Sequence, residues 1–132
     1  MSVSIAVGAD EIGYDYKEKI KKYLATEGYR VKDLGTHNQT PVLYPDYAVE
    51  VCNSVLAGES ESGILVCGTG IGMAITANKI PGIRAAVVHD LLSAERARRS
   101  NDTQILCLGA RIIGLETAQK LIKIWMECRF EG

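Results

Sequence analysis

Residues Gly63-Ile64-Leu65-Val66-Cys67 run without a break into Gly68-Thr69-Gly70-Ile71-Gly72-Met73. The apolar run Ile64 to Cys67 suits a strand buried on both faces, which is the situation of a central strand in a parallel sheet. Glycines at 68, 70 and 72 then let the backbone turn tightly against a ligand. A helix opening there would point its free N–H groups and its dipole at an anion or a developing oxyanion. Cys67 sits in the same field, which favours its thiolate and makes it a candidate base or nucleophile. The same residues also suit a core cysteine beside an ordinary strand-to-helix turn, and the spacing alone leaves both readings open.

A buried parallel strand needs helices above and below it, and the rest of the chain supplies them. Ser4 to Ala9 predicts a first strand, and Asp15 to Glu27 a helix with Tyr16, Ile20, Tyr23 and Leu24 on one face and lysines on the other. A second strand is expected over Tyr29 to Leu34, then a polar loop from Gly35 to Tyr44. Pro45 suits the first turn of a helix closed by Gly58. After the strand Gly63 to Cys67 come a helix from Ile71 to Asn78, a strand from Arg84 to Val88, and a helix capped by Asp90 that runs to Arg99. A strand over Ile105 to Leu108 and a helix over Glu116 to Cys128 end the pattern. The reading is one α/β domain over 1–132, a three-layer α/β/α sandwich with a five-stranded parallel sheet of Rossmann-like order 2-1-3-4-5. Its ligand crevice lies at the carboxyl ends of the strands, where order reverses between strands one and three. Asp10 and Glu11, the Cys67 turn, His89-Asp90 and Gly109-Ala110-Arg111 all leave strands on that side.

The formal net charge of -1 gives no basic footprint for nucleic acid or an anionic membrane surface. No apolar run approaches the length of a membrane span, and the first residues lack a signal peptide's pattern, so a cytoplasmic location is expected. Cys52, Cys67, Cys107 and Cys128 form no C-x-x-C pair, and His37 and His89 are isolated, so no metal site is expected. Met73-Ala74 follows Gly72 where a P-loop would carry lysine and a hydroxyl residue, which argues against a nucleotide site of that kind.

Several motifs in order resemble one known family, the ribose-5-phosphate isomerase B and galactose-6-phosphate isomerase group. They are Gly8-Ala9-Asp10 with Gly13-Tyr14, Tyr44-Pro45-Asp46-Tyr47-Ala48, Cys67 to Met73, Ala77-Asn78-Lys79, Pro81-Gly82-Ile83-Arg84-Ala85, Asn101-Asp102 and Gly109-Ala110-Arg111-Ile112-Ile113-Gly114. The resemblance implies a cofactor-independent aldose-ketose isomerase that interconverts ribose 5-phosphate and ribulose 5-phosphate, or a closely related sugar phosphate, through a cis-enediolate. It implies Cys67 as base, Thr69 as a hydrogen-bonding assistant, and the backbone of Gly68, Gly70, Ile71 and Gly72 around the enediolate oxygens. Asp10 and Asn101 match sugar-hydroxyl ligands and Arg111 a phosphate ligand. The family also implies a homodimer or a dimer of dimers whose active sites are shared between chains.

Three departures bear on the substrate. Glu11 stands where the family usually has a phosphate-binding histidine, and a carboxylate there repels a phosphate unless it is protonated, turned away or paired. Ser100 stands where a histidine usually protonates the ring oxygen of a furanose. The basic tail that follows in the family is not reached by this sequence. These departures point to an open-chain or unphosphorylated substrate, or alternatively to a noncatalytic or partner-dependent sugar-phosphate-binding subunit. His89 is a candidate substitute acid, Tyr44 is either a ligand above the crevice or a staple on its helix, and Arg96, Arg98 and Arg99 are read as a solvated or intersubunit surface.

Overall fold

A computed structural model of the chain describes residues 3–132. Strands β1 (Ser4–Ala9), β2 (Arg30–Asp33), β3 (Ser62–Cys67), β4 (Ala85–Val87) and β5 (Ile105–Gly109) alternate with helices α1 (Tyr14–Thr26), α2 (Tyr44–Leu56), α3 (Ile71–Asn78), α4 (Leu91–Arg99) and α5 (Leu115–Glu127). All strand pairs are parallel. Because side chains alternate along a strand, Ile64 and Val66 of β3 face one layer and Leu65 and Cys67 the other. Ile20, Leu24, Ala94, Leu121 and Trp125 cover the first side with α1, α4 and α5. Ala48, Val51, Cys52, Met73 and Ala77 cover the second with α2 and α3. This is the expected three-layer α/β/α sandwich.

The strand order is β2-β1-β3-β5-β4, which corrects the expected 2-1-3-4-5 by exchanging the last two strands. The reason is burial. Every residue of β5 is buried, whereas the three residues of β4 are only half-buried. Ile, Leu and Val side chains gain about 1.5–3 kcal/mol each from full burial, so Ile105-Leu106-Cys107-Leu108 belongs in the centre and Ala85-Ala86-Val87 at the edge. The crossover from β3 to β4 passes over the place of β5, and the next crossover returns, which puts α4 on the α1 face under right-handed connection. Asn78 blunts the resulting edge, its side chain donating to the Ala85 carbonyl and accepting the Ala85 N–H, both at 2.8 Å. For the site, the exchange puts Gly109 directly opposite Cys67 and moves His89 one strand away.

Helix α1 corrects a second expectation, that its lysines lie on the solvent face. Lys17 is only 1 % exposed. Its ammonium donates to Asp33 at the end of β2 and to Glu18, each at 2.7 Å, and Lys21 donates to the same Asp33 oxygen at 2.6 Å. The Gly35 N–H donates to the other Asp33 oxygen at 2.9 Å. The pair thereby ties α1 to the loop that leaves β2, and that loop in turn exchanges backbone hydrogen bonds with Ala9 at the end of β1. Burial alone raises the Asp33 pKa, but the hydrogen bonds from Lys17, Lys21 and Gly35 outweigh it and hold the carboxyl at about 2.

Since this pKa is depressed on folding, the Asp33 contribution to stability is complete above its unfolded value near 3.8 and is lost as pH falls toward 2. Asp33→Asn should cost about 3 kcal/mol in urea unfolding at pH 7, because it leaves the buried ammonium without its main counter-charge. Lys17→Met should cost less, since Asp33 keeps Lys21 and the Gly35 N–H. The reverse order would show that the buried ammonium does not depend on Asp33.

Candidate active site

Strand β3 delivers Cys67 to the carboxyl edge of the sheet, where its side chain is 7 % exposed. The chain then turns through Gly68, Thr69 and Gly70, and Gly70 has φ 80, in the left-handed region that glycine adopts without strain. That turn aims the Gly70 N–H at the Cys67 Sγ, 3.1 Å away. The sulfur thus accepts a backbone hydrogen bond from the turn that follows it. The Thr69 hydroxyl oxygen accepts the Ile71 N–H at 3.2 Å, while the first helical N–H to find an intrahelical carbonyl is that of Ala74, on Gly70. The N–H groups of Gly72 and Met73, in the first turn of α3, have no such partner, as at any helix start.

The β5 side of the turn is built by contact. The Ala110 N–H donates to the Cys67 carbonyl at 2.8 Å and the Arg111 N–H to the Gly68 carbonyl at 3.0 Å. A Cβ at Gly109 would stand 2.8 Å from the Thr69 backbone, so only glycine lets the two turns meet. The Arg111 side chain extends along Gly68, its Cδ and Nη1 3.6 and 3.7 Å from where a Gly68 Cβ would stand. A guanidinium and a set of N–H groups therefore border Cys67 together.

On the β1 side, Asp10 is buried and its Oδ1 accepts the Gly13 N–H at 2.9 Å. Burial raises its pKa, opposed in part by the Gly13 hydrogen bond. Glu11 is turned away toward the 35–44 loop, where its Oε2 accepts the Val42 N–H at 3.3 Å. Of the three ways to relieve repulsion of a phosphate, this is the second. Tyr44 opens α2 and lays its ring on α3, since a Cβ at Gly72 would fall 2.7–2.9 Å from the ring and hydroxyl. It thus stands at the mouth of the turn and fastens α2 to α3.

The remaining expected residues are placed elsewhere. His89 follows β4, and its Nε2 accepts the Gly109 N–H at 2.8 Å. Ser100 ends α4 and receives a hydrogen bond from Arg96 at 2.9 Å; it and Asn101 lie at the amino ends of the strands. Cys67 lies at the carboxyl end of β3, a six-residue strand roughly 17 Å long. One chain therefore does not bring Ser100 or Asn101 to Cys67. Arg98 is not a solvated surface residue: it reaches the Trp125 and Thr103 carbonyls and lies 4.0 Å from the Trp125 ring centroid. Arg96 and Arg99 do stay at the surface, near Glu95 and Glu131.

Exposed apolar side chains gather at the carboxyl end. Ile12, Leu43, Tyr44, Ile71, Leu91, Leu92 and Ile112 all belong to turns or first helical turns that follow strands or lead into helices there, and Leu43 and Leu92 are 73 and 70 % exposed. The sequence offered no signal for this rim, because each residue also fits an amphipathic pattern. Among the described residues no group of three or more His, Cys, Asp and Glu is placed to hold a metal ion, and no helix is long and apolar enough to cross a membrane.

The family model described as Ribose/Galactose Isomerase matches residues 5–132. The chain belongs to that family. Among its relatives is a D-erythrulose-4-phosphate isomerase of Pectobacterium atrosepticum, 47% identical over 132 residues that cover 98% of this chain and 86% of the relative. Another is the ribose-5-P isomerase B of Listeria innocua, 47% identical over 130 residues covering 98% and 88%. The solved ribose-5-phosphate isomerase B of Clostridium thermocellum superposes with a TM-score of 0.97 at 43% identity, covering 98% of this chain and 88% of that one. This family member is a sugar-phosphate isomerase of the ribose-5-phosphate isomerase B type, with the five-stranded α/β fold of that group.

The contacts at the two glycines separate packing from strain. Gly109→Ala should destabilise the isomerase by about 1–3 kcal/mol, because the new methyl meets backbone that cannot step aside. Gly72→Ala meets only the far end of the Tyr44 side chain, and should cost under about 1 kcal/mol while displacing the ring. Urea unfolding of both variants checks the order, and equal losses would show that the two turns are not in rigid contact.

Proposed function

We propose that this isomerase interconverts an aldose phosphate and its ketose through a cis-enediolate, with Cys67 as the base. The observation that carries the reading is the Gly70 N–H held 3.1 Å from the Cys67 sulfur at the turn into α3. The thiolate takes the proton from C2 of the open-chain aldose, the electron pair moves into a C1–C2 double bond, and the O1 carbonyl becomes an enediolate oxygen. Transfer of the O2 hydroxyl proton to O1, and return of the carbon-bound proton from the sulfur to C1 as O2 becomes the carbonyl, complete the ketose. A base shared by both carbons gives about 10² to 10⁴ in rate, and N–H groups of the 68–72 turn aimed at the enediolate oxygens are worth roughly 3–4 kcal/mol for each key donor. Thr69 assists from the exposed side of the turn, Asp10 binds a sugar hydroxyl, Tyr44 closes the mouth, and Arg111 receives the phosphate beside Gly68.

A second copy of the chain completes the site in this reading. The apolar rim around Cys67 needs cover, and Asn101 reaches a Cys67 turn only from another chain. A homodimer meets both requirements by one symmetric contact. Conversion of a metabolic sugar phosphate supports a cytoplasmic location.

Ribose 5-phosphate and ribulose 5-phosphate are the reference pair, and Ser100 favours a smaller one. Ribose 5-phosphate closes to a furanose through O4 and must be opened by an acid. In a four-carbon sugar carrying its phosphate on O4, that oxygen is blocked and no furanose forms. A serine hydroxyl is a poor acid at neutral pH, so the open-chain four-carbon pair, the substrate class named for the Pectobacterium relative, suits this site better. A partner-dependent subunit is the second reading. It is supported by Glu11, Ser100 and the 35% identity to a galactose-6-phosphate isomerase subunit of Clostridium acetobutylicum.

A coupled assay on erythrulose 4-phosphate and ribose 5-phosphate tests this. The four-carbon substrate should turn over much faster, and Ser100→His should raise kcat on ribose 5-phosphate, by up to about 10² to 10⁴, with little change on erythrulose 4-phosphate. Brisk isomerisation of ribose 5-phosphate by the unaltered protein would contradict the role given to Ser100, and inactivity on both would favour the partner-dependent subunit.

A further inference from the structure

The roles assigned above leave His89 unused, yet its ring occupies a defined place in the sheet. β4 ends at Val87 while β5 runs on to Gly109 beside Cys67. The Val88 N–H still donates to the Cys107 carbonyl at 3.2 Å, after which the chain leaves the sheet for the Asp90 cap of α4. Alternate residues of β5 face β4, so the Gly109 N–H points at the side that β4 has just vacated. The His89 Nε2 stands there, 2.8 Å from the Gly109 nitrogen. A ring nitrogen that accepts a hydrogen bond carries no proton, so this imidazole is neutral with its hydrogen on Nδ1. The same fact removes Nε2 from the part of a substitute acid.

Gly109 is the residue on which the active turn leans. Its Cα approaches the Thr69 backbone so closely that no Cβ fits, and the next two N–H groups bind the Cys67 and Gly68 carbonyls. We propose that neutral His89 is a positioning residue: by accepting the Gly109 N–H it holds the end of β5 and, through it, Thr69 and Arg111 in working geometry, and its protonation releases them. This rests on the isomerase reading of the Cys67 turn. A protonated ring would set its own N–H against that of Gly109 and leave a buried amide without an acceptor.

Half-burial holds the His89 pKa below its usual 6.5, opposed by the Asp90 charge. The Asp90 carboxylate is itself engaged by the Ser93 N–H at 2.8 Å and the Ser93 hydroxyl at 2.7 Å. The groups that face the ring are the Gly109 N–H at the end of β5 and the Asp90 carboxylate that caps α4. With the folded pKa depressed, the hydrogen bond is intact at neutral pH and is lost as pH falls below 6.5 through the folded value.

His89→Ala should lower kcat by about 10- to 100-fold at pH 7.5, the scale of a small misplacement of reacting groups, with a lesser change in KM. His89→Gln, whose amide oxygen can take the place of Nε2 without titrating, should recover most of that loss and remove the acid-side fall in kcat that the unaltered protein shows. In ¹⁵N-labelled protein, the amides of Gly109, Thr69 and Arg111 should move together with the His89 ring between pH 8 and 5, and should stay still in His89→Gln. The inference is overturned if those amides ignore the His89 titration, if His89→Ala keeps its kcat, or if His89→Gln is as impaired as His89→Ala. Should His89→Ala fail to fold, the amide titration and the His89→Gln profile decide. An unaltered protein inactive on every sugar phosphate would sink the isomerase reading instead, and the amide titration would still test the hydrogen bond.

Discussion

Where β3 and β5 lie side by side, five residue pairs run from Gly63 opposite Ile105 to Cys67 opposite Gly109, and the site is an extension of that ladder past its last pair. The Ala110 and Arg111 N–H groups continue it on to the Cys67 and Gly68 carbonyls. Two turns that are far apart in sequence thus share one set of hydrogen bonds, with the Gly109 and Thr69 backbones in contact. Moving β5 by one register would carry every one of these groups away, because a shift of one residue reverses which face each side chain occupies. The buried apolar residues of both strands hold the register.

Charge in the site is arranged by the same economy of position. The chain is close to neutral overall, so attraction of an anion depends on local placement, with Arg111 along Gly68 and unpaired N–H groups at the start of α3. The two carboxylates that leave β1 are kept from opposing it. Asp10 is occupied by the Gly13 N–H and its pKa is raised by burial, and Glu11 is drawn to the Val42 N–H. A third carboxylate, Asp33, is neutralised at the base of α1 by Lys17 and Lys21.

Most element positions were legible in the residues. The α3 span Ile71–Asn78 and the Asp90 cap of α4 form as read, because glycine punctuation and capping are local. The strand order was not, since it depends on which of two nearby strands gains more from burial, and Ile105 to Leu108 against Ala85 to Val87 holds that comparison only when both are considered together. Lys17 was misplaced because helical spacing ranks a lysine as solvent-facing, and nothing in α1 itself announces Asp33 across the layer. The Cys67 turn was recognisable from its glycines. The distance of Ser100 and Asn101 from it required the direction of α4, which runs back from the carboxyl to the amino end of the sheet. The His89 bond to Gly109 follows from the true strand order and had no local signal.

The claim on which the account turns is that the Cys67 sulfur moves the carbon-bound proton. Deuterium wash-in from heavy water, read by mass spectrometry on the recovered sugar phosphate and compared between the unaltered protein and Cys67→Ala, measures that step without reference to ring opening or to the coupling enzymes. The account predicts steady incorporation of one deuteron at the exchanging carbon by the unaltered protein, and incorporation at the uncatalysed rate by a Cys67→Ala protein that unfolds at nearly the same urea concentration. Wash-in by Cys67→Ala at close to the unaltered rate would contradict it and would assign the base to another group.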